Sequence, residues 1–163
     1  MGAKQAPNNS STEMEYSRFL VQSGLLFTYG DSGQAVAGPV LYLLTVGAKP
    51  LHIMRRISIS TGGLMTITEA PTGWGGGAAM AIQPYNRMQA LKGLLTSGLK
   101  GVTGGTGGAV VASDSVPVNP IGWAQAGLQS GAETILKPNT VYLLTLNLLA
   151  SGNYTFDLDC YEE

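Results

Sequence analysis

The stretch that most constrains the fold is Ile135 to Glu163, where side-chain character alternates through two consecutive runs. Side chains along a strand point to opposite faces in turn, so Tyr142, Leu144, Leu146 and Leu148 share one face. Past the turn residues Ala150-Ser151-Gly152-Asn153 the alternation resumes. Tyr154, Phe156, Leu158 and Cys160 fall on one side, and Thr155, Asp157, Asp159 and Tyr161 on the other. Two such strands joined by a short Gly-Asn connection predict an antiparallel hairpin. Its apolar face needs a second layer to cover it, so the stretch predicts a β-sandwich around itself.

The rest of the chain fits that frame. Val40 to Val46 is a continuous apolar, β-prone run suited to a central strand buried on both sides. Leu51 to Ser60 alternates and turns at Thr61-Gly62-Gly63 into Leu64 to Glu69, which predicts a second hairpin. Arg55 interrupts its apolar face and needs either a strand end or a partner there. Phe19-Leu20-Val21 and Leu25 to Tyr29 suggest an early strand with a bulge or turn. Gly30 to Gln34 reads as a surface loop. Ala70 to Gly77 holds four glycines and a proline and predicts a loop. Ala78 to Ile82 suggests a short strand, and Met88 to Leu99 is read as a strand despite leucines at helical spacing. Residues 100–133 are rich in glycine and read as a long loop, with Ala109 to Ala112 as the one further strand. Residues 1–15 are polar and predict an extended N-terminal arm, leaving 16–163 as a single sandwich domain.

Charge narrows the functional classes. Charged residues make up 12% of the chain, about half the usual share. The net charge is −1, with nine basic and ten acidic residues, and there is no basic stripe to hold a nucleic acid backbone. A surface with so few charges is poorly protected against association, so it is expected to be covered by partners. No apolar run approaches the roughly 20 residues of a membrane span. The N-terminus lacks the apolar core of a signal peptide, so synthesis in a cytoplasm is expected. The single cysteine, Cys160, excludes an internal disulfide and sits at an apolar strand position, as a small buried side chain does.

Catalytic patterns are missing. His52 is the one histidine, lies on a strand face, and has no nucleophile motif beside it. Asp157, Asp159, Glu162 and Glu163 form the densest acidic cluster, which suits a solvated or ion-paired face better than a cation site. Gly101 to Gly108 lacks the Gly-Lys-Ser/Thr and the following helix of a phosphate loop. These observations predict no enzyme, no cofactor and no metal. Trp74 and Trp123 stand in Gly-rich loops, either as a platform for sugars or as plugs for hydrophobic pockets at an interface.

Several blocks resemble a family of small virion proteins of tailed bacteriophages, the capsid decoration, cement or head-fibre-like proteins. Leu136-Lys137-Pro138-Asn139-Thr140 with Tyr142 and Leu143 is similar to the family's "LKPNTxYL" segment. Tyr154 to Glu162 is similar to its alternating terminal strand, with Cys160 where a Trp is usual. Pro50 to Ile53, Thr68 to Thr72 and Tyr85-Asn86-Arg87 resemble its middle segments, with Met88 where another Asn is usual. The resemblance extends over about residues 40–90 and 133–163 and brings no catalytic residue. It implies a jelly-roll-like antiparallel β-sandwich that binds the major capsid protein lattice on the virion exterior as a homo-oligomer, a trimer before a dimer. It also implies that nucleic acid and membrane are not direct partners. The residues expected at the interface are Pro7, Trp74 and Trp123. The alternative is a head-fibre or tail-associated module that binds a receptor or carbohydrate.

Overall fold

The structure is a computed structural model that describes residues 19–88, 94–118, 128–129 and 133–163, with Leu128–Gln129 described by backbone alone. Its strands are β1 (Phe27–Ala35), β2 (Gly38–Thr45), β3 (Leu51–Ile59), β4 (Gly63–Glu69), β5 (Thr72–Gly75), β6 (Ala78–Ala79) and β7 (Ile82–Pro84). They continue with β8 (Ser97–Lys100), β9 (Thr103–Thr106), β10 (Ala109–Val116), β11 (Leu128–Gln129), β12 (Thr134–Leu136), β13 (Val141–Leu148) and β14 (Gly152–Glu162). One sheet runs β11-β3-β14-β1-β7, with β12 also on β3. The second runs β10-β4-β13-β2-β8-β6, and β5 pairs with β9 alone. Every ladder is antiparallel. The two large sheets pack together on one core, a β-sandwich-type arrangement in an all-β fold.

The two expected hairpins are not hairpins. β13 pairs with β2 and β4 in the second sheet, whereas β14 pairs with β1 and β3 in the first. β3 and β4 are likewise divided between the sheets. Each pair is an arch whose strands face one another across the core, and the two arches lie side by side. Their bends are joined by Ser60 N–H to Asn153 O at 2.9 Å and Leu149 N–H to Gly62 O at 3.2 Å. Thr61 Oγ1 also donates to Ala150 O at 3.0 Å. The faces read from the sequence nevertheless hold: Tyr142, Leu144, Leu146, Leu148, Phe156, Leu158 and Cys160 are all buried. An arch and a hairpin bury the same alternate residues, so alternation alone does not separate them.

Tyr42 of β2 stacks on Phe156 of β14 with ring centroids 4.3 Å apart, tying the sheets through the core. β2 is buried on both sides, as its sequence predicts. Tyr42 and Leu44 face the main core, and Leu43 joins Val102 and Leu143 in a second cluster on the outer face. Arg55 points into the core side and finds its partner in Asp114 of β10, with Nη1 at 2.7 Å from the carboxylate.

Other expectations are corrected. Residues 19–23 are helical rather than extended. Gly24, at φ 72°, ends the turn, and Leu25 N–H bonds back to Leu20 O at 2.9 Å. Leu20 and Leu26 thereby cap Tyr161 on the outer face of the first sheet, which gives the helical turn its apolar contact. Gly30 to Gln34 belongs to β1, held by its ladder to β14. In the Ala78 to Ile82 region two short strands, β6 and β7, go to different sheets, and the expected Met88–Leu99 strand reduces to β8, with 89–93 outside the described residues. Both expected glycine-rich loops are more regular than expected, with β5 inside Ala70–Gly77 and β9 inside 100–133, while the expected strand at Ala109–Ala112 is present and runs on to Val116 as β10. The expected arm at 1–15 and the domain boundary at 16 lie outside the described residues.

Candidate interaction surface

The two outer faces of the sandwich differ in charge. On the first sheet, alternation turns His52, Arg56, Asp157 and Asp159 outward. Arg56 bonds Asp159 at 3.0 Å and Tyr85 Oη at 2.7 Å, and Tyr85 donates to Asp159 at 2.9 Å. Burial works against the Arg56 cation, but the carboxylates of Asp159 and Asp157 outweigh it and hold its pKa above the ordinary value. His52 is buried, stacks on Tyr161, and faces Glu133 at 2.9 Å and Glu163 at 3.2 Å. Glu162 accepts from Thr96 N–H at 2.8 Å and Thr96 Oγ1 at 2.7 Å. The acidic cluster is thus largely taken up by ion pairs and hydrogen bonds. Among the described residues no group of three metal-ligating side chains converges.

On the second sheet the outward set is Leu64, Thr66 and Thr68 of β4, Thr145 and Asn147 of β13, Leu41 and Thr45 of β2, and Ser113 and Ser115 of β10. Among the described strand residues none of these outward positions is charged. One part of this face is sealed by the small β5–β9 ladder, in which Trp74 lies opposite Gly104. The seal depends on glycine. A Cβ on Gly105 would stand 2.7 Å from Leu143 Cδ2, and its φ of 101° disfavours any L side chain. Thr72 Oγ1 and Thr103 Oγ1 fasten the ladder to the carbonyls of Thr106 and Gly75, each at 3.2 Å. Trp74 is left 39% exposed on its outside. Of the expected interface residues, Trp74 is therefore on an accessible surface, while Pro7 and Trp123 lie outside the described residues.

A polar hub at one rim of the sandwich carries no sequence signature. Asp31 of β1 accepts from Lys100 Nζ at 2.8 Å, and from the hydroxyls of Tyr42 and Tyr154 at 3.1 Å each. Burial tends to raise the Asp31 pKa, but these three donors together hold it below the usual carboxylate range. Burial also pushes the Tyr42 phenol well above its ordinary value, so it remains a donor. An open cleft beside the hub is lined by Ser32, Val40, Ala78 and Gly101. Gly77, just past the Trp74 ladder, lines it as well. Asp31 stood in a stretch read as loop and Lys100 before a glycine run, and their partners are far away in sequence. The antiparallel pairing of Tyr42 with Lys100 sets those two side by side, and the packing of the first sheet on the second brings Asp31 and Tyr154 to them.

Segments distant in sequence also meet around Glu69. Lys137 Nζ reaches Glu69 at 2.8 Å, while Tyr142 Oη donates to Glu69 at 3.2 Å and accepts from Lys137 N–H at 2.9 Å. Asn139 takes φ 52° and its N–H bonds Gly47 O at 2.7 Å, which explains Asn in this turn. Tyr154 to Glu162 pairs with β3 through its length. The chain matches no family model, and no curated protein and no solved structure is significantly similar to it.

Proposed function

We propose that this chain is a structural, non-catalytic virion protein of a tailed bacteriophage, a capsid decoration or cement protein that binds the major capsid protein lattice and stabilises the assembled head. The observation that carries the reading is the mutual contact of the resembling blocks. Segments scattered through the sequence, Pro50–Ile53, Thr68–Thr72, Tyr85–Arg87, Leu136–Leu143 and Tyr154–Glu162, form one frame: Glu69 bonds Lys137 and Tyr142, Tyr85 bonds Asp159, and Leu51 pairs with both Leu136 and Glu162. Their spacing is then set by one shared architecture. That architecture is jelly-roll-like: β1-β14-β3-β12 faces β2-β13-β4-β10, and successive strands of this set change sheet at every step but one, β4 to β10, which pair directly.

In this reading the frame is scaffold, and attachment falls to surfaces it presents: Trp74, the uncharged outer face, and the segments bearing Pro7 and Trp123. Each contact with a capsid subunit is modest, and a homo-oligomer that touches several subunits gains through effective concentration. The site of action is the capsid exterior, without direct contact to nucleic acid or membrane. Among the described residues no helix is long and apolar enough to cross a membrane.

The test is co-sedimentation of the purified chain with assembled phage heads. Saturation in proportion to the capsid subunits supports cementing, with weaker attachment after deletion of residues 1–12. Failure to bind any head overturns it. A second reading, a head-fibre or tail-associated receptor or carbohydrate-binding module, is favoured by the exposed Trp74, whose strand leads into Gly77 and Ala78 of the Asp31–Lys100 cleft. It predicts a handful of copies per particle and glycan binding that Trp74→Ala abolishes.

A further inference from the structure

We infer that the cleft beside the Asp31 hub binds a neutral sugar unit through two neighbouring hydroxyls, one donating to Asp31 and the other accepting from Lys100. The inference rests on the glycan-binding reading and gives it a place and a ligand chemistry. Both sheets wall the cleft: Asp31 of β1 and Tyr154 of β14 come from the first, and Val40 of β2, Ala78 of β6 and Lys100 of β8 from the second. These residues and their chain neighbours are all among the described ones. The cavity volume is about 520 Å³, within the roughly 300–1,000 Å³ of small-molecule pockets.

Both ions keep hydrogen-bonding capacity. A carboxylate offers about four acceptor positions. Asp31 uses three of them, on Lys100 Nζ at 2.8 Å and on the Tyr42 and Tyr154 hydroxyls at 3.1 Å each. An ammonium carries three donors; Asp31 takes one, and the Lys100 side chain is half exposed. The zero net charge of the pair decides the ligand class. An anion drawn to Lys100 would lie against the Asp31 carboxylate, and a cation drawn to Asp31 would meet the Lys100 ammonium. A hydroxyl both donates and accepts, so a vicinal pair bridges the two ions with no like-charge contact. Beside the pair, half-buried Val40 and Tyr154 and exposed Ala78 supply apolar wall for the C–H face of a sugar ring. The two tyrosine hydroxyls already hold Asp31 in place, which leaves little ordering to be done on binding.

The test is an amide NMR titration of the full chain with methyl glucoside, methyl galactoside and methyl mannoside. Millimolar binding of at least one is expected, with the largest shifts at the cleft residues Ser32, Ala78 and Gly101. Lys100→Met removes the ammonium and keeps the stem. It is expected to weaken that binding by more than about tenfold, the worth of one hydrogen bond to a charged group. The melting curve should be kept, because an exposed ion pair adds little stability. Ala78→Trp, at an exposed position paired with Lys100 in the ladder, fills the cleft with both ions in place and is expected to abolish binding. The uronic acid of the bound sugar is expected to bind more weakly than the sugar, since its carboxylate meets Asp31. Binding that survives either variant, or a uronic acid that binds more tightly, overturns the cleft and leaves the glycan-binding reading to Trp74. No shift with any of the three sugars also overturns the cleft, and that reading is then decided by Trp74→Ala on surface glycans alone.

Discussion

At the scale of single residues, three groups make sharp statements. Cys160 is fully buried, and burial, with Asp159 and Glu162 nearby, pushes its thiol up to about 12. It is expected to ignore a disulfide reagent at pH 8 in the folded chain and to react at once in denaturant, as timed absorbance would register. Asp31 holds two tyrosine hydroxyls, one of them fully buried, so Asp31→Ala strands donors and is expected to cost about 1–3 kcal/mol in denaturant melts. Its folded pKa lies below the unfolded value. The contribution is therefore fully present above the ordinary Asp range and is lost as pH falls through the lower folded value. The acid limb of the stability curve should shrink in Asp31→Ala. Arg55 was legible in part: an Arg on an apolar face demands a partner. The partner, Asp114, was not legible, because it lies in a stretch whose glycines and small residues read as loop. Asp114→Ala leaves a buried guanidinium short of its counter-charge and is expected to cost about 3 kcal/mol by chemical denaturation.

At the scale of elements, sequence periodicity gave faces and missed partners. The alternation in Leu51–Glu69 and Ile135–Glu163 named the core-facing residues. It set His52 and Tyr161 on the opposite faces, and both are buried there because Leu20 and Leu26 cover Tyr161, on which His52 stacks. Whether two successive strands lie in one sheet or face each other across two depends on the bend and on what lies beside it. Here each bend is braced by the other, and that contact is far apart in sequence. Glycine at β5 and β9 misled for a related reason. In β9 its low strand propensity was outweighed by close approach: a Cβ at Gly104 would meet the Gly73 carbonyl and one at Gly105 would meet Leu143 of the outer cluster. The arch model makes its own prediction at Gly63. A Cβ there would stand 2.4 Å from Asn147 O and 2.7 Å from Ile59 Cδ1. Gly63→Ala is expected to destabilise by about 1–3 kcal/mol in thermal and chemical melts. In a simple hairpin the same change would be nearly silent.

At the scale of the whole molecule, the wiring makes the chain's last strand central. β14 lies between β1 and β3, so the first described strand has its long ladder to the last. β2 and β4 depend in the same way on β13. Contacts so distant in sequence must be closed before they stabilise anything, which slows folding and binds the sheets into one cooperative unit. The candidate surfaces follow from this arrangement rather than from any local motif: the uncharged face and the Asp31 hub each exist because distant segments are brought side by side. This is why Trp74 could be singled out from composition while the hub could not. The consequence is testable by truncation. Removing residues 152–163 strips β1 and β3 of their shared neighbour and exposes Tyr42, whose ring loses Phe156. The truncated chain is expected to lose its cooperative thermal transition and to bind a hydrophobic dye. Retention of a sharp transition would mean that the second sheet folds by itself, in which case β13, β2 and β4 form an independent unit.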